Sequence, residues 1–166
     1  MSDRPVDPVF DPSGRVRADV CDAPTLRALV SSLDHARCTN WDSVRTPHLF
    51  MGLLSAPDPG VFNWANRLSY DTVRLLDQFR DLFYQDCDPV PPLKLNREFL
   101  SDNVLRVLRD AAARAEDYGR DTFTQMDLLI CVFAAPNSIV AECFERIGVT
   151  AARLTELAVL AEQDAA

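Results

Sequence analysis

Apolar residues recur at intervals of three and four along most of the chain, the spacing of helices that bury one stripe. Leu26, Leu29, Leu33 and Ala36 form a first stripe, and Leu49, Phe50, Leu53 and Leu54 form a second, wider one. Pro57, Pro59 and Gly60 then break the chain before a third helix with Val61, Phe62, Trp64, Ala65 and Leu68. A fourth runs through Val73, Leu76, Phe79 and Phe83. Asp22 suits the N-cap of the first helix, with Pro24 tolerated in its first turn, and Thr46 suits the cap of the second, with Pro47 at the first helical position. Pro89, Pro91 and Pro92 keep the stretch from Asp86 to Arg97 from being helical throughout.

From Ser101, a second N-cap, the plan starts again. Val104, Leu105, Leu108, Ala111, Ala112 and Ala115 make a stripe that Gly119 can end. Leu128, Leu129, Val132 and Phe133 follow, then Ile139, Val140, Cys143, Phe144 and Ile147 after Pro136, then Leu154, Leu157, Val159 and Leu160. The stretch Thr46-Pro47-His48-Leu49-Phe50-Met51-Gly52-Leu53-Leu54 has a degenerate copy in Gln125-Met126-Asp127-Leu128-Leu129-Ile130-Cys131-Val132-Phe133. His48 and Asp127 lie 79 positions apart, and the same spacing pairs Leu26 with Leu105, Leu29 with Leu108, Ala36 with Ala115, Val61 with Val140, Leu68 with Ile147 and Leu75 with Leu154. A register held that long without a gap indicates two copies of one helical unit. No segment shows the period-two alternation of a half-buried strand. The expectation is therefore an all-α fold of eight helices, two tandem four-helix repeats related by a pseudo-two-fold. Residues 1 to 20 are expected to be a flexible arm, residues 21 to 85 the first repeat, 86 to 98 a linker and 99 to 163 the second repeat. The polar residues from Glu162 onward are expected to fray.

Composition changes this picture little. Apolar residues are 48% and charged residues 25% of the 166, enough to build a packed core. The net charge of −8 argues against nucleic acid as a partner, which calls for clustered Arg and Lys. No apolar run reaches about 18 residues and no charged-then-apolar amino terminus is present, so neither a membrane span nor a signal peptide is expected and the cytoplasm is the default compartment. The five cysteines lack any C-x-x-C spacing, which favours reduced thiols over a disulfide frame or a zinc site.

Few residues carry candidate chemistry. Lys94 is the only lysine and follows Leu93, so the G-x-x-x-x-G-K-[ST] phosphate loop of an ATPase is absent. His35 and Cys38, three apart on a helix, share a face and could form a thiolate pair, but no third, orienting group is identifiable. His48, at the start of the apolar second helix, is expected to bond to backbone there rather than to a metal, since two histidines make a poor zinc set. Trp64 corresponds to Cys143 in the other copy, so an aromatic not needed by a shared core could anchor a peptide in a groove. Arg106, Arg109 and Arg114 read as a solvated face with Asp102, Asp110 and Glu116.

Two copies of a four-helix unit, each with a Thr-x-His-Leu-Leu-like second helix and joined by a linker, resemble the Clp amino-terminal domain family. The resemblance covers about residues 20 to 162 and rests on the double register rather than on one motif. It implies the docking domain of Clp unfoldase ATPases, free-standing or part of a larger chain: a non-enzymatic module without cofactor or metal, binding substrate proteins, adaptors or a Clp-type ATPase. Pro47, His48, Trp64, Met126 and Asp127 are the candidate protein-binding residues. One alternative is the corresponding domain of a type VI secretion ATPase that grips a sheath helix. Others are a small helical enzyme using Cys38 or His48, and a structural or regulatory protein that has lost docking. In the branch of the family that reads phosphorylated arginine, each copy has Gly-Thr-Glu-His, whose glutamate contributes to the phosphoarginine pocket. Here Arg45-Thr46-Pro47-His48 puts Pro47 at one glutamate, and Thr124-Gln125-Met126-Asp127 puts Met126 at the other. Neither side chain can accept from a guanidinium. Calorimetric titration with phosphoarginine should accordingly show no binding; measurable binding lost in variants at Pro47 and Met126 would overturn this reading.

Overall fold

The computed structural model describes residues 7 to 165. Among them are eight α-helices: α1 Ala23–Cys38, α2 Thr46–Ser55, α3 Pro59–Arg67, α4 Thr72–Phe83, α5 Asp102–Asp117, α6 Gln125–Ala134, α7 Ile139–Glu145 and α8 Ala151–Ala165, with a 3-10 turn at Arg97–Phe99. Extended backbone pairs only at four isolated bridges among the described residues. The 79-residue spacing survives in the helix limits. α1 and α5 match at both ends, as do α2 and α6, and α4 and α8 begin in register.

The helix ends repeat in the same way. Asp22 caps α1 by accepting from the Thr25 N–H at 3.0 Å, and Ser101 caps α5 by accepting from the Val104 N–H at 3.2 Å. α1 and α5 close with left-handed residues at equivalent positions, Asn40 (φ 64°) and Gly119 (φ 71°). Trp41 N–H then returns to the Ala36 carbonyl, and Arg120 N–H to that of Ala115, each at 2.9 Å. Ser69 (φ 61°) and Gly148 (φ 90°) close α3 and α7 alike. The N-cap of α2 is Arg45, one residue earlier than the Thr46 expected from sequence.

The copies are clasped by crossed backbone pairing. The segment before α1 meets the segment before α6, where Phe123 N–H donates to the Val20 carbonyl at 3.0 Å. The equivalent bond, Val44 N–H to the Phe99 carbonyl at 2.7 Å, joins the segment before α2 to the segment before α5. Each copy thus completes its neighbour's helix entry.

Two sequence expectations need correction. Residues 1 to 6 lie outside the described residues, but residues 7 to 20 are no loose arm. Val9 and Phe10 are buried, Arg97 lies 5.2 Å over the Phe10 ring, and Val16 N–H donates to the Leu95 carbonyl at 3.3 Å. Val16 and Leu95 are themselves 79 apart, so arm and linker meet at equivalent positions across the pseudo-axis. Three buried apolar residues, Val9, Phe10 and Val20, in a segment dominated by proline and charge were enough to pin it. The end of α8 is likewise tied down, by Glu162 to Arg114 and by Asp164 to Arg67.

α2 and α6 form the centre: nine of the ten residues in each are buried. Phe50 of α2 packs edge-on to Trp64 of α3 at 5.9 Å and to Phe144 of α7 at 5.9 Å, and lies 6.1 Å from Phe133 of α6. Gly52 lets α2 approach α1 closely, since a Cβ there would run into the Ala28 carbonyl oxygen and sit 3.1 Å from the Ser32 nitrogen. Those obstacles are helix backbone that cannot swing aside, whereas at Gly60 the obstacle is the flexible Met126 side chain. Gly52→Ala should therefore cost about 1–3 kcal/mol in urea unfolding and Gly60→Ala distinctly less.

Candidate functional site

The start of α6 is buried, and burial obliges its polar groups to find partners inside the protein. Thr124 is the N-cap, and its N–H donates to Asp127 Oδ2 at 2.8 Å while the Asp127 N–H donates back to Thr124 Oγ1 at 3.3 Å. The Asp127 carboxylate has no exposed surface, and its remaining lone pairs are filled by two arginines. Arg120 donates to Oδ2 at 2.6 Å and to Oδ1 at 2.9 Å, and Arg114 donates to Oδ1 at 2.5 Å. Arg114 also forks onto both Glu162 oxygens at 2.9 Å, and both guanidinium groups lie against the Tyr118 ring. Burial pushes the Asp127 pKa up, but the bonds from Arg120, the Thr124 N–H and Arg114 outweigh it and hold the carboxyl below its ordinary value. Glu162 first, then Asp127, raises Arg114.

At the start of α2 the same backbone need is met without charge. Arg45 N–H donates to His48 Nδ1 at 3.0 Å. That bond fixes Nδ1 as the acceptor, so the ring proton sits on Nε2 and is shared with Thr39 Oγ1 at 3.0 Å. Burial, with His35 and Arg45 nearby, drives the His48 pKa down to about 3, and the ring is neutral. Trp41 meets its edge at 5.5 Å and donates from Nε1 to the Phe83 carbonyl at 2.6 Å. In the 79-residue register His35, Trp41, His48 and Phe83 stand where the second copy has Arg114, Arg120, Asp127 and Glu162.

A cavity opens beside each helix start. The first, of about 370 Å³, is lined by Trp41, Arg45, Pro47, His48, Phe83 and Ile139 among others. The second, of about 320 Å³, is lined by Gly60, Tyr118, Arg120, Met126 and Glu162 among others. Pro47 and Met126, Trp41 and Arg120, Phe83 and Glu162, and Ile139 and Gly60 are register pairs, so the two cavities are one site in duplicate.

This arrangement of crossed four-helix copies has counterparts among solved structures. One is the N-terminal domain of the caseinolytic protease associated chaperone ClpD from Arabidopsis thaliana, with a TM-score of 0.66 and 16% identity over 86% of this chain and 94% of that one. Another is the N-terminal domain of the ClpV1 ATPase of the E. coli EAEC Sci1 type VI secretion system, with a TM-score of 0.63 and 14% identity over 86% of each chain. This chain has the Clp N-domain fold. No family model matches the sequence and no curated protein matches it, so the likeness is one of fold.

Within this Clp N-domain fold the residues singled out from sequence separate. Pro47 and His48 line the first cavity and Met126 the second, while Asp127 lies buried behind the second. Trp64 is fully buried, its Nε1 donating to the Leu154 carbonyl at 3.2 Å, so its bulk serves the core between copies and not a groove. Arg114, read as part of a solvated face, is mostly buried in the Asp127 network. His35 is buried with a pKa lowered by burial and Arg80, so it offers no imidazolium to the exposed Cys38. Trp41, Arg120 and Glu162 went unnoticed in the sequence. Applying the register to polar as well as apolar positions finds them, because charge in one copy faces aromatic residues in the other.

The neutral, buried His48 gives stability a definite pH dependence. Its folded pKa lies below the unfolded 6.5, so the unfolded chain binds more protons between those values and stability falls as pH drops through 6.5. Urea unfolding at pH 7, 6 and 5 should show that loss, at a limiting slope of about 1.4 kcal/mol per pH unit for one such group. His48→Asn, which keeps an acceptor for the Arg45 N–H, should remove His48's share; an unchanged slope would exclude it as the group responsible.

Proposed function

We propose that the chain is a non-enzymatic docking module that holds segments of substrate proteins or adaptors for a Clp-type unfoldase in the cytoplasm. The observation that carries this is the duplicated cavity at the buried starts of α2 and α6. Each is concave, partly apolar and rimmed by a few polar groups, the character of sites that take one or two side chains of a partner. Pro47, His48 and Met126 contribute walls, and Asp127 fixes the second wall from behind. With so few anchors the affinity is modest and release is fast, as a module that hands cargo onward requires.

The solved relatives of this fold are N-terminal domains, one of a chaperone associated with a protease and one of an ATPase, which supports work in conjunction with a motor. The chain has no phosphate-binding loop of its own, so the unfolding step falls to an ATPase module or partner. An enzymatic role through the histidine finds little support: both ring nitrogens of His48 are engaged by Arg45 and Thr39, so its imidazole is not free to act as a base. No single helix among the described residues is long and apolar enough to cross a membrane.

The immobilised chain should retain a hexameric Clp-type ATPase or a permanently unfolded model protein from a purified mixture. Retention of neither would overturn the proposal.

A further inference from the structure

The two cavities share a backbone plan but not a chemistry. In the second, both arginines already have internal carboxylates: Arg120 is held by Asp127, and Arg114 by Asp127 and Glu162. Any occupant must displace or desolvate that network, which is costly. In the first cavity the positions that supply those carboxylates are His48 and Phe83, and neither carries charge. Its cation, Arg45, lies on the opposite face of the problem. It is exposed, stacks 5.3 Å from the Trp41 ring and donates from Nε to Ser43 Oγ at 3.0 Å, and no carboxylate of the described chain pairs with it.

We infer that the cavity between α2, the end of α4, the start of α5 and α7 is the one that takes cargo, and that its occupant is a peptide segment with a bulky apolar side chain next to a carboxylate. The inference rests on the docking reading above and specifies its ligand. Trp41, Pro47, Phe83 and Ile139 offer a neutral, largely aromatic lining that gains by covering an aliphatic or aromatic side chain. Arg45 at the rim provides the anion acceptor's partner, already aligned by the Trp41 face. Asp102, at the first turn of α5, also lines the cavity, so it disfavours a strongly acidic occupant and limits the carboxylate to the Arg45 side. The pseudo-symmetry is thereby broken, and one chain binds one segment in one direction.

The test uses the full chain and labelled peptides of roughly ten residues with one central Leu or Phe, flanked by Asp, by Asn or by Lys. Fluorescence polarisation reads affinity, and Trp41 emission reports occupancy, with the buried Trp64 as a constant background. The Asp-flanked peptide should bind about tenfold more tightly than the Lys-flanked one, with one peptide per chain. Arg45→Glu should reverse that order, and Ile139→Asp, at a half-exposed position on the rim, should abolish binding of all three. Tyr118→Ser, at the exposed rim of the second cavity, should leave binding unchanged. Circular dichroism confirms that each variant is folded before it is compared. Equal affinity for the three peptides, two peptides per chain, or loss of binding in Tyr118→Ser would overturn the inference and leave the docking function standing. Failure of every peptide class to bind would overturn both.

Discussion

α2 and α6 are apolar on every side, and a helix of that kind has no stable place at a surface. A single four-helix copy offers such a helix cover on one side only. Two copies face each other, and the second side is closed by the aromatic contact of Phe50 with Phe133 and Phe144 and by Trp64. The crossed pairing of Val20 with Phe123 and of Val44 with Phe99 follows from that need. It ties each helix entry to the other copy, so neither half is a complete structure on its own.

Burying two helices also buries their amino-terminal N–H groups, and this is where structure passes into function. The third residue of each helix must reach back to the N-cap N–H. A histidine does it in one copy and an aspartate in the other. The choice of aspartate brings a chain of obligations, because a buried carboxylate calls for cations and the cations call for Glu162. The choice of histidine brings none, and leaves its surroundings free to be aromatic. Two cavities of one origin therefore differ in charge through linked exchanges at equivalent positions, with His48 against Asp127 at their centre.

A fold built this way keeps a rigid centre and varies its rims. Gln125 shows how the centre is fixed: its amide donates to the Pro24 and Ala56 carbonyls and accepts from the Asp58 N–H, stitching the start of α1 and the α2–α3 turn to α6. The residues at the cavity rims, Arg45, Ile139 and Tyr118, lie outside that framework and can change without disturbing it. Fold and cavity rims are separately adjustable here.

The all-α class, the eight helices, the caps of α1 and α5 and the duplication were determined by sequence alone, because helical periodicity and capping act within a few residues and a repeat register needs only spacing. The two cavities and the chemistry that separates them were decided by tertiary structure. Trp41, Arg114, Arg120, Phe83 and Glu162 are far apart along the chain, and whether an arginine is solvated or locked to a buried carboxylate depends on what packs against it. The same holds for Trp64, which sequence could not assign to core or groove, and for residues 7 to 20, where three buried apolar side chains outweigh a polar composition. Local rules settled where the helices are, and the packing of one copy on the other settled which side chains line a cavity and which are locked inside.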